Sequence, residues 1–166
     1  PDAGAAAKKR LGIKFSGLEL GELLNDPKTD IVAVGSYYGA RGEMIARALE
    51  AGKNVIADKP ICISLGELDK IKALTRKTGR KIGCMLDLRY TPAARRAGEI
   101  LASGRLGAVR NVSFTGQHCI DYAGRPAWYF EKGRHGGTIN DLAVHGIDLV
   151  RELTGLRVGR INAARC

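Results

Sequence analysis

The chain has 166 residues, 27 of them basic and 17 acidic, for a formal net charge of +10. That length suits one ordinary domain or two small or incomplete ones, and a hydrophobic content of 45% supports a real core, which excludes a disordered chain. No apolar run approaches the ~20 residues of a membrane-spanning helix, and the opening Pro1-Asp2-Ala3-Gly4 lacks the basic-then-apolar pattern of a signal peptide.

Cys62, Cys84, Cys119 and Cys166 are scattered without a CxxC pair, which speaks against a zinc ribbon or thiol redox motif and fits a reducing cytoplasm. The positive charge is spread from Lys8-Lys9-Arg10 through Arg76-Lys77 and Arg95-Arg96 to Arg157–Arg165. Only 5% of residues are aromatic. This describes solvated helix faces and a site for anionic ligands better than a nucleic-acid surface, which would gather its charge and interleave it with stacking rings.

In chain order, Asp2 to Arg10 reads as a helix, Ile13-Lys14-Phe15 as a short strand, and Leu18 to Leu24 as a short helix. Ile31-Val32-Ala33-Val34 is a continuous apolar run, the pattern of a strand buried on both faces. Gly42 to Ala51 follows as a helix with Met44, Ile45, Ala48 and Leu49 on one stripe, stopped by Gly52. Asn54 to Ala57 is the next strand. Ser64-Leu65-Gly66-Glu67 is a capping box opening a helix that Gly79 ends, and Lys81 to Leu86 is a third strand. Alternating strands and helices at these spacings predict right-handed βαβ units and a parallel sheet.

The pattern then changes. Thr91-Pro92 starts a helix running to Ser103-Gly104. Val109 to His118 alternates in polarity, as a strand of an antiparallel sheet does. Ile120 to His135 is a loop, Gly136-Gly137 opens a helix that runs to about Leu153 and is ended by Gly155, and Arg160 to Ala164 starts a further strand. A domain boundary falls near Asp87, dividing 1–87 from 88–166.

Two segments carry chemistry. Asp58-Lys59-Pro60 follows a buried strand, and ligands bind at the carboxyl ends of strands in open parallel sheets. A lysine there can stabilise a developing alkoxide, or simply sit in a surface turn. In the second segment, Asp141, His145 and Asp148 stand at i, i+4 and i+7 on one helical face. An imidazole such as that of His145 can serve as a proton acceptor, and a carboxylate one turn away can orient it. The same spacing admits a metal site if His118 or His135 joins, although otherwise both read as exposed imidazoles.

The ordered set Ala51-Gly52-Lys53-Asn54-Val55, Asp58-Lys59-Pro60, Arg89-Tyr90-Thr91-Pro92, Trp128 and Gly136-Gly137-x-x-x-Asp141-x-x-x-His145 closely resembles the glucose–fructose oxidoreductase/inositol dehydrogenase (Gfo/Idh/MocA) family. The resemblance implies a Rossmann domain for NAD or NADP followed by an α/β domain with a largely antiparallel sheet. It implies hydride transfer on a sugar, cyclitol or related polyol.

The family's Glu-Lys-Pro lysine falls on Lys59, with Asp58 replacing the glutamate, and the Lys59-Pro60 bond is expected to be cis. Its catalytic aspartate and histidine fall on Asp141 and His145. Its strand-end Thr-Pro falls on Ser36-Tyr37, next to Gly35, and a histidine common shortly after is Arg41 here. The resemblance thus implies Lys59, Asp141 and His145 as catalytic. Gly35, Ser36, Tyr37, Asp58, Lys59 and Pro60 are then cofactor-binding, and Arg89, Tyr122, Arg125 and Trp128 line a substrate pocket. Trp128 suits core packing equally well.

The glycine-rich dinucleotide loop does not occur in this sequence, so the chain is expected to be an internal piece of a longer protein, a dimer or tetramer when complete. A non-catalytic sugar- or nucleotide-binding protein on the same fold and a metal-dependent hydrolase or isomerase are the competing readings. The expected partner is a small sugar or polyol, with no nucleic acid and no membrane.

Overall fold

The computed structural model describes Arg10 and residues 19–116 and 118–162. The helix expected at Asp2–Arg10 lies outside the described residues except for helical Arg10, and the strand expected at Ile13–Phe15 lies wholly outside.

A short helix α1 (Leu20–Asn25) leads into three strands, β1 (Ile31–Val34), β2 (Asn54–Asp58) and β3 (Ile82–Met85). They form a parallel sheet in the order β1-β2-β3, with Val34 beside Ala57 and Ala57 beside Cys84. The crossovers are α2 (Tyr38–Glu50) and α3 (Leu65–Thr78). The apolar stripe of α2, with Ile45, Ala48 and Leu49, is wholly buried against Val32, Val55, Ala57, Ile71 and Leu74. Both boundary signals of α3 act as expected. Ser64 and Glu67 each accept from the other's backbone N–H, and Gly79 closes the helix at φ 68°.

Two expectations for this half need correction. β1 is not buried on both faces: Val32 and Val34 are covered, while Ile31 is 55% exposed, because among the described residues helices pack on one side of the sheet. The helix expected at Gly42–Ala51 begins four residues earlier, at Tyr38. Its N-cap Tyr37 has no capping side chain, so no sequence signal marks the start. The free Gly39 N–H is taken instead by the Arg134 carbonyl at 2.9 Å, from a loop nearly a hundred residues on.

The second half is helical. A 3-10 turn (Asp87–Tyr90) precedes α4 (Pro92–Ala102), which is capped by Thr91 and opened by Pro92. A π-helical turn (Ile139–Ala143) runs into α5 (Val144–Thr154), closed by Gly155 at φ 67°. The alternating segment Val109–His118 is not a strand: its described residues have no regular structure. A strand needs a neighbour for its backbone N–H and C=O groups, and among the described residues none lies beside it. Residues 160–162 are likewise irregular, and 163–164 lie outside the described residues.

Candidate active site

β2 ends at Asp58, and the cis Lys59-Pro60 bond turns the chain there. Lys59 reaches out of the parallel-sheet half. Its Nζ donates to Asp141 Oδ1 at 2.7 Å and to the Asp141 carbonyl at 2.9 Å. The two halves therefore meet through an ammonium–carboxylate pair, with the Lys59 side chain 18% and the Asp141 side chain 1% exposed.

Local geometry places Asp141. Gly136 and Gly137 take φ of 81° and 89°, where a side chain is strained, and a Cβ on Gly136 would lie 2.5 Å from Ile63 Cγ2. The chain can therefore press against the segment after β2, where Asn140 Nδ2 donates to the Cys62 carbonyl at 2.9 Å. The π-helical turn follows and carries Asp141 at its centre.

Four side chains donate to this buried carboxylate. Tyr38 Oη and Lys59 Nζ meet Oδ1 at 2.9 and 2.7 Å, and Tyr129 Oη meets Oδ2 at 2.6 Å. His135 Nε2 lies 3.2 Å from Oδ2. Burial alone would push the Asp141 pKa up, but the hydrogen bonds from Lys59, Tyr129, Tyr38 and His135 outweigh it and hold the pKa well below the ordinary carboxylate range. Asp141 is thus a fixed anion at neutral pH. The phenols respond in the opposite sense. Burial and the adjacent carboxylate raise Tyr129 to about 12 and push Tyr38 higher still.

Lys59 and Asp141 are brought together, but His145 is not part of their network. The expected Asp141–His145 contact is replaced by Asp141–His135. The wide π turn interrupts the regular α-helical register on which the i, i+4 reading depended. His145 instead lines a cavity of about 390 Å³ with Asp87, Leu88, Phe114, His118 and Leu142. Its buried Nδ1 has no hydrogen-bond partner among the described residues. The Asp148 carboxylate accepts from Arg89 Nε at 2.9 Å and from Nη2, and among the described residues it has no hydrogen bond to His145.

The other expected residues are distributed as follows. Arg89 is held by Asp148 and, at 2.9 Å, by Glu152, so it clamps the 3-10 turn to α5. Trp128 packs edge-on against Tyr38 at 5.1 Å and tilted against Tyr37 at 6.1 Å. Arg125 lies 4.1 Å over the Tyr129 ring, and exposed Tyr122 stacks on Phe130 at 5.0 Å. Gly35, Ser36 and Tyr37 follow β1, and Asp58, Lys59 and Pro60 close β2, so parallel register puts the two groups side by side.

Tyr38, Tyr129, His135 and Arg41 carry contacts that the motifs did not assign. Tyr38 is 103 positions from Asp141, and no local pattern encodes a contact of that span. His135 is only six positions away. The glycine pair that folds it back was visible, so that contact had a sequence signal.

A model described as an oxidoreductase family with an NAD-binding Rossmann fold matches residues 2–85. The GFO/IDH/MocA C-terminal domain model matches residues 94–165. The chain belongs to the GFO/IDH/MocA oxidoreductase family. Within it, the chain is 29% identical over 161 residues to the levoglucosan dehydrogenase of Pseudarthrobacter phenanthrenivorans, covering 93% of this chain and 40% of that protein. It is 30% identical over 152 residues to the 1,5-anhydro-D-fructose reductase of Ensifer adhaerens, covering 90% and 45%. A solved levoglucosan dehydrogenase, in complex with NADH and levoglucosan, superposes with a TM-score of 0.79 at 28% identity. The match covers 93% of this GFO/IDH/MocA chain and 43% of that one. The chain therefore spans less than half the length of these relatives.

Proposed function

We propose that this chain carries the reacting-oxygen site of an NAD(P)-dependent oxidoreductase acting on a carbinol or carbonyl carbon of a sugar, cyclitol or related polyol. The observation that carries this reading is the Lys59–Asp141 pair, formed where the carboxyl end of the parallel sheet meets the second half. The names of the relatives, a levoglucosan dehydrogenase and an anhydrofructose reductase, support the substrate class.

The residues at the carboxyl end of the sheet fit a dinucleotide. A Cβ on Gly35 would meet nothing within 4 Å, so this strand end is open, and the exposed Tyr37 ring borders it. Gly35, Ser36, Tyr37 and the Asp58-Lys59-Pro60 turn would hold the cofactor, which when bound supplies the hydride acceptor or donor. An ammonium has three N–H donors. Asp141 takes two of those of Lys59, through its carboxylate and its carbonyl, leaving the third for the substrate oxygen. There it stabilises the charge that develops as the alcohol loses its proton. Asp141, saturated with donors, fixes the ammonium and does not itself carry the proton. His145, which lines the cavity with Asp87, Phe114 and His118, is the group assigned to accept it. Tyr122, Arg125 and Trp128 would border the sugar, while Arg89 supports α5 from behind.

The domain boundary belongs near Asp87, in the 3-10 turn between the two segments that the family models match. Assembly as a homo-oligomer and residence in the cytoplasm complete the proposal. No helix among the described residues is long and apolar enough to cross a membrane.

The test uses the protein expressed from its own reading frame. Formation of reduced nicotinamide is followed by absorbance across a panel of sugars and cyclitols, and Lys59→Ala and His145→Ala are compared with wild type. Each should lower turnover by about 100-fold or more while circular dichroism stays unchanged. Wild-type turnover in both variants refutes the mechanism, and cofactor binding without turnover on any polyol favours a binding protein.

A further inference from the structure

Arg41 is 2% exposed, so its charge is shielded from solvent. Burying a guanidinium is costly unless its donors are used. Here four of its five N–H groups have acceptors. Nε donates to the Ser36 carbonyl at 2.7 Å. Nη1 donates to the Lys59 carbonyl at 2.5 Å and the Pro60 carbonyl at 3.1 Å, and Nη2 to Asp58 Oδ2 at 3.1 Å. The other Asp58 oxygen accepts from the Lys59 backbone N–H at 2.8 Å. One planar fork thus grips the residue after Gly35 and all three residues of the Asp58-Lys59-Pro60 turn, from both the main chain and the side chain.

Resting on the reading of Lys59 as the oxygen-binding ammonium, we propose that Arg41 is the positioning residue for Lys59. With the carbonyls of Lys59 and Pro60 fixed to α2, and the Lys59 N–H fixed to Asp58, the lysine backbone is held on both sides of its Cα. The side chain then has one stem from which to reach Asp141. A lysine at position 41 retains the charge, but its donors radiate from one atom and cannot span acceptors belonging to four residues. The role therefore depends on the shape of the guanidinium as well as on its charge.

A double-mutant cycle tests this, using the protein from its own reading frame. Arg41→Lys should lower kcat by about 100-fold, the loss expected when a reacting group is displaced by about 1 Å. The dissociation constant for NADH, read by fluorescence, should change far less. In the Lys59→Ala background the same substitution should cost no further turnover, because the group it positions is gone. If Arg41→Lys lowers turnover equally in both backgrounds, Arg41 acts on the fold at large and the proposal is overturned. If Lys59→Ala alone leaves turnover intact, the failure lies in the assignment of Lys59. Should Arg41→Lys not fold, Asp58→Asn removes the counter-charge while leaving Arg41 in place. It is read through the same cycle, and additivity there again overturns the proposal. Glu43→Gln, an exposed neighbour on α2 whose partner is Lys70, serves as the unaffected control.

Discussion

Replacing Asp141 by asparagine keeps the shape of the side chain and removes its charge. One of the two terminal atoms becomes an NH2 group. Whichever it is, two former donors then face a donor: either Tyr38 and Lys59 or Tyr129 and His135. The Lys59 ammonium also loses its counter-charge. Breaking a buried ion pair costs about 3–5 kcal/mol, and the lower end applies because 18% of the Lys59 side chain still reaches solvent. At about 2–4 °C per kcal/mol for a chain of this size, the melting temperature should fall by about 6–12 °C.

The pH dependence provides an independent check. The Asp141 pKa is lower in the folded chain than in the unfolded one, so its stabilisation is present above the unfolded value of about 4 and fades as pH falls toward the folded value. Urea unfolding of wild type and Asp141→Asn should therefore show a constant gap from roughly pH 5 to pH 8, narrowing below about pH 4. A gap under about 1 kcal/mol at neutral pH, or one unchanged in acid, refutes the buried-anion account.

Tyr129→Phe removes one donor and should cost about 1.5 kcal/mol, measured by the same unfolding assay. Because the folded phenol titrates at about 12, above its ordinary value, its contribution is complete below about pH 10 and lost as pH rises through about 12. Ultraviolet titration of the variant should lack one such high-titrating phenol. Gly136→Ala puts a methyl group against Ile63 at a φ of 81° and should destabilise by about 1–3 kcal/mol. Gly66→Ala meets open space in the first turn of α3 and should stabilise by up to about 1 kcal/mol in thermal melts.

Elements whose signals lie within a turn or two were legible in the sequence. The Ser64–Glu67 box, Thr91-Pro92 and the closing glycines Gly79 and Gly155 each act through backbone groups three or four residues away, so the sequence alone fixes them. Lys59 and Asp141 were also legible, as ordered motifs. The alternation at Val109–His118 was equally clear but did not produce a strand, because pairing depends on a neighbouring chain segment that polarity alone does not supply.

The sequence by itself determined the alternating α/β half, the helix boundaries with explicit caps, and the identity of the ammonium and the carboxylate. Only the tertiary structure decided which groups surround that carboxylate. Tyr38 arrives from a helix whose first turn is docked onto the Arg134 loop, Tyr129 and His135 come from that loop region, and Arg41 grips the turn beneath Lys59. The physical reason is range. Capping and periodicity are short-range backbone effects written into neighbouring residues, whereas a buried charge is satisfied by whichever donors packing brings within about 3 Å, however far apart they lie in the chain.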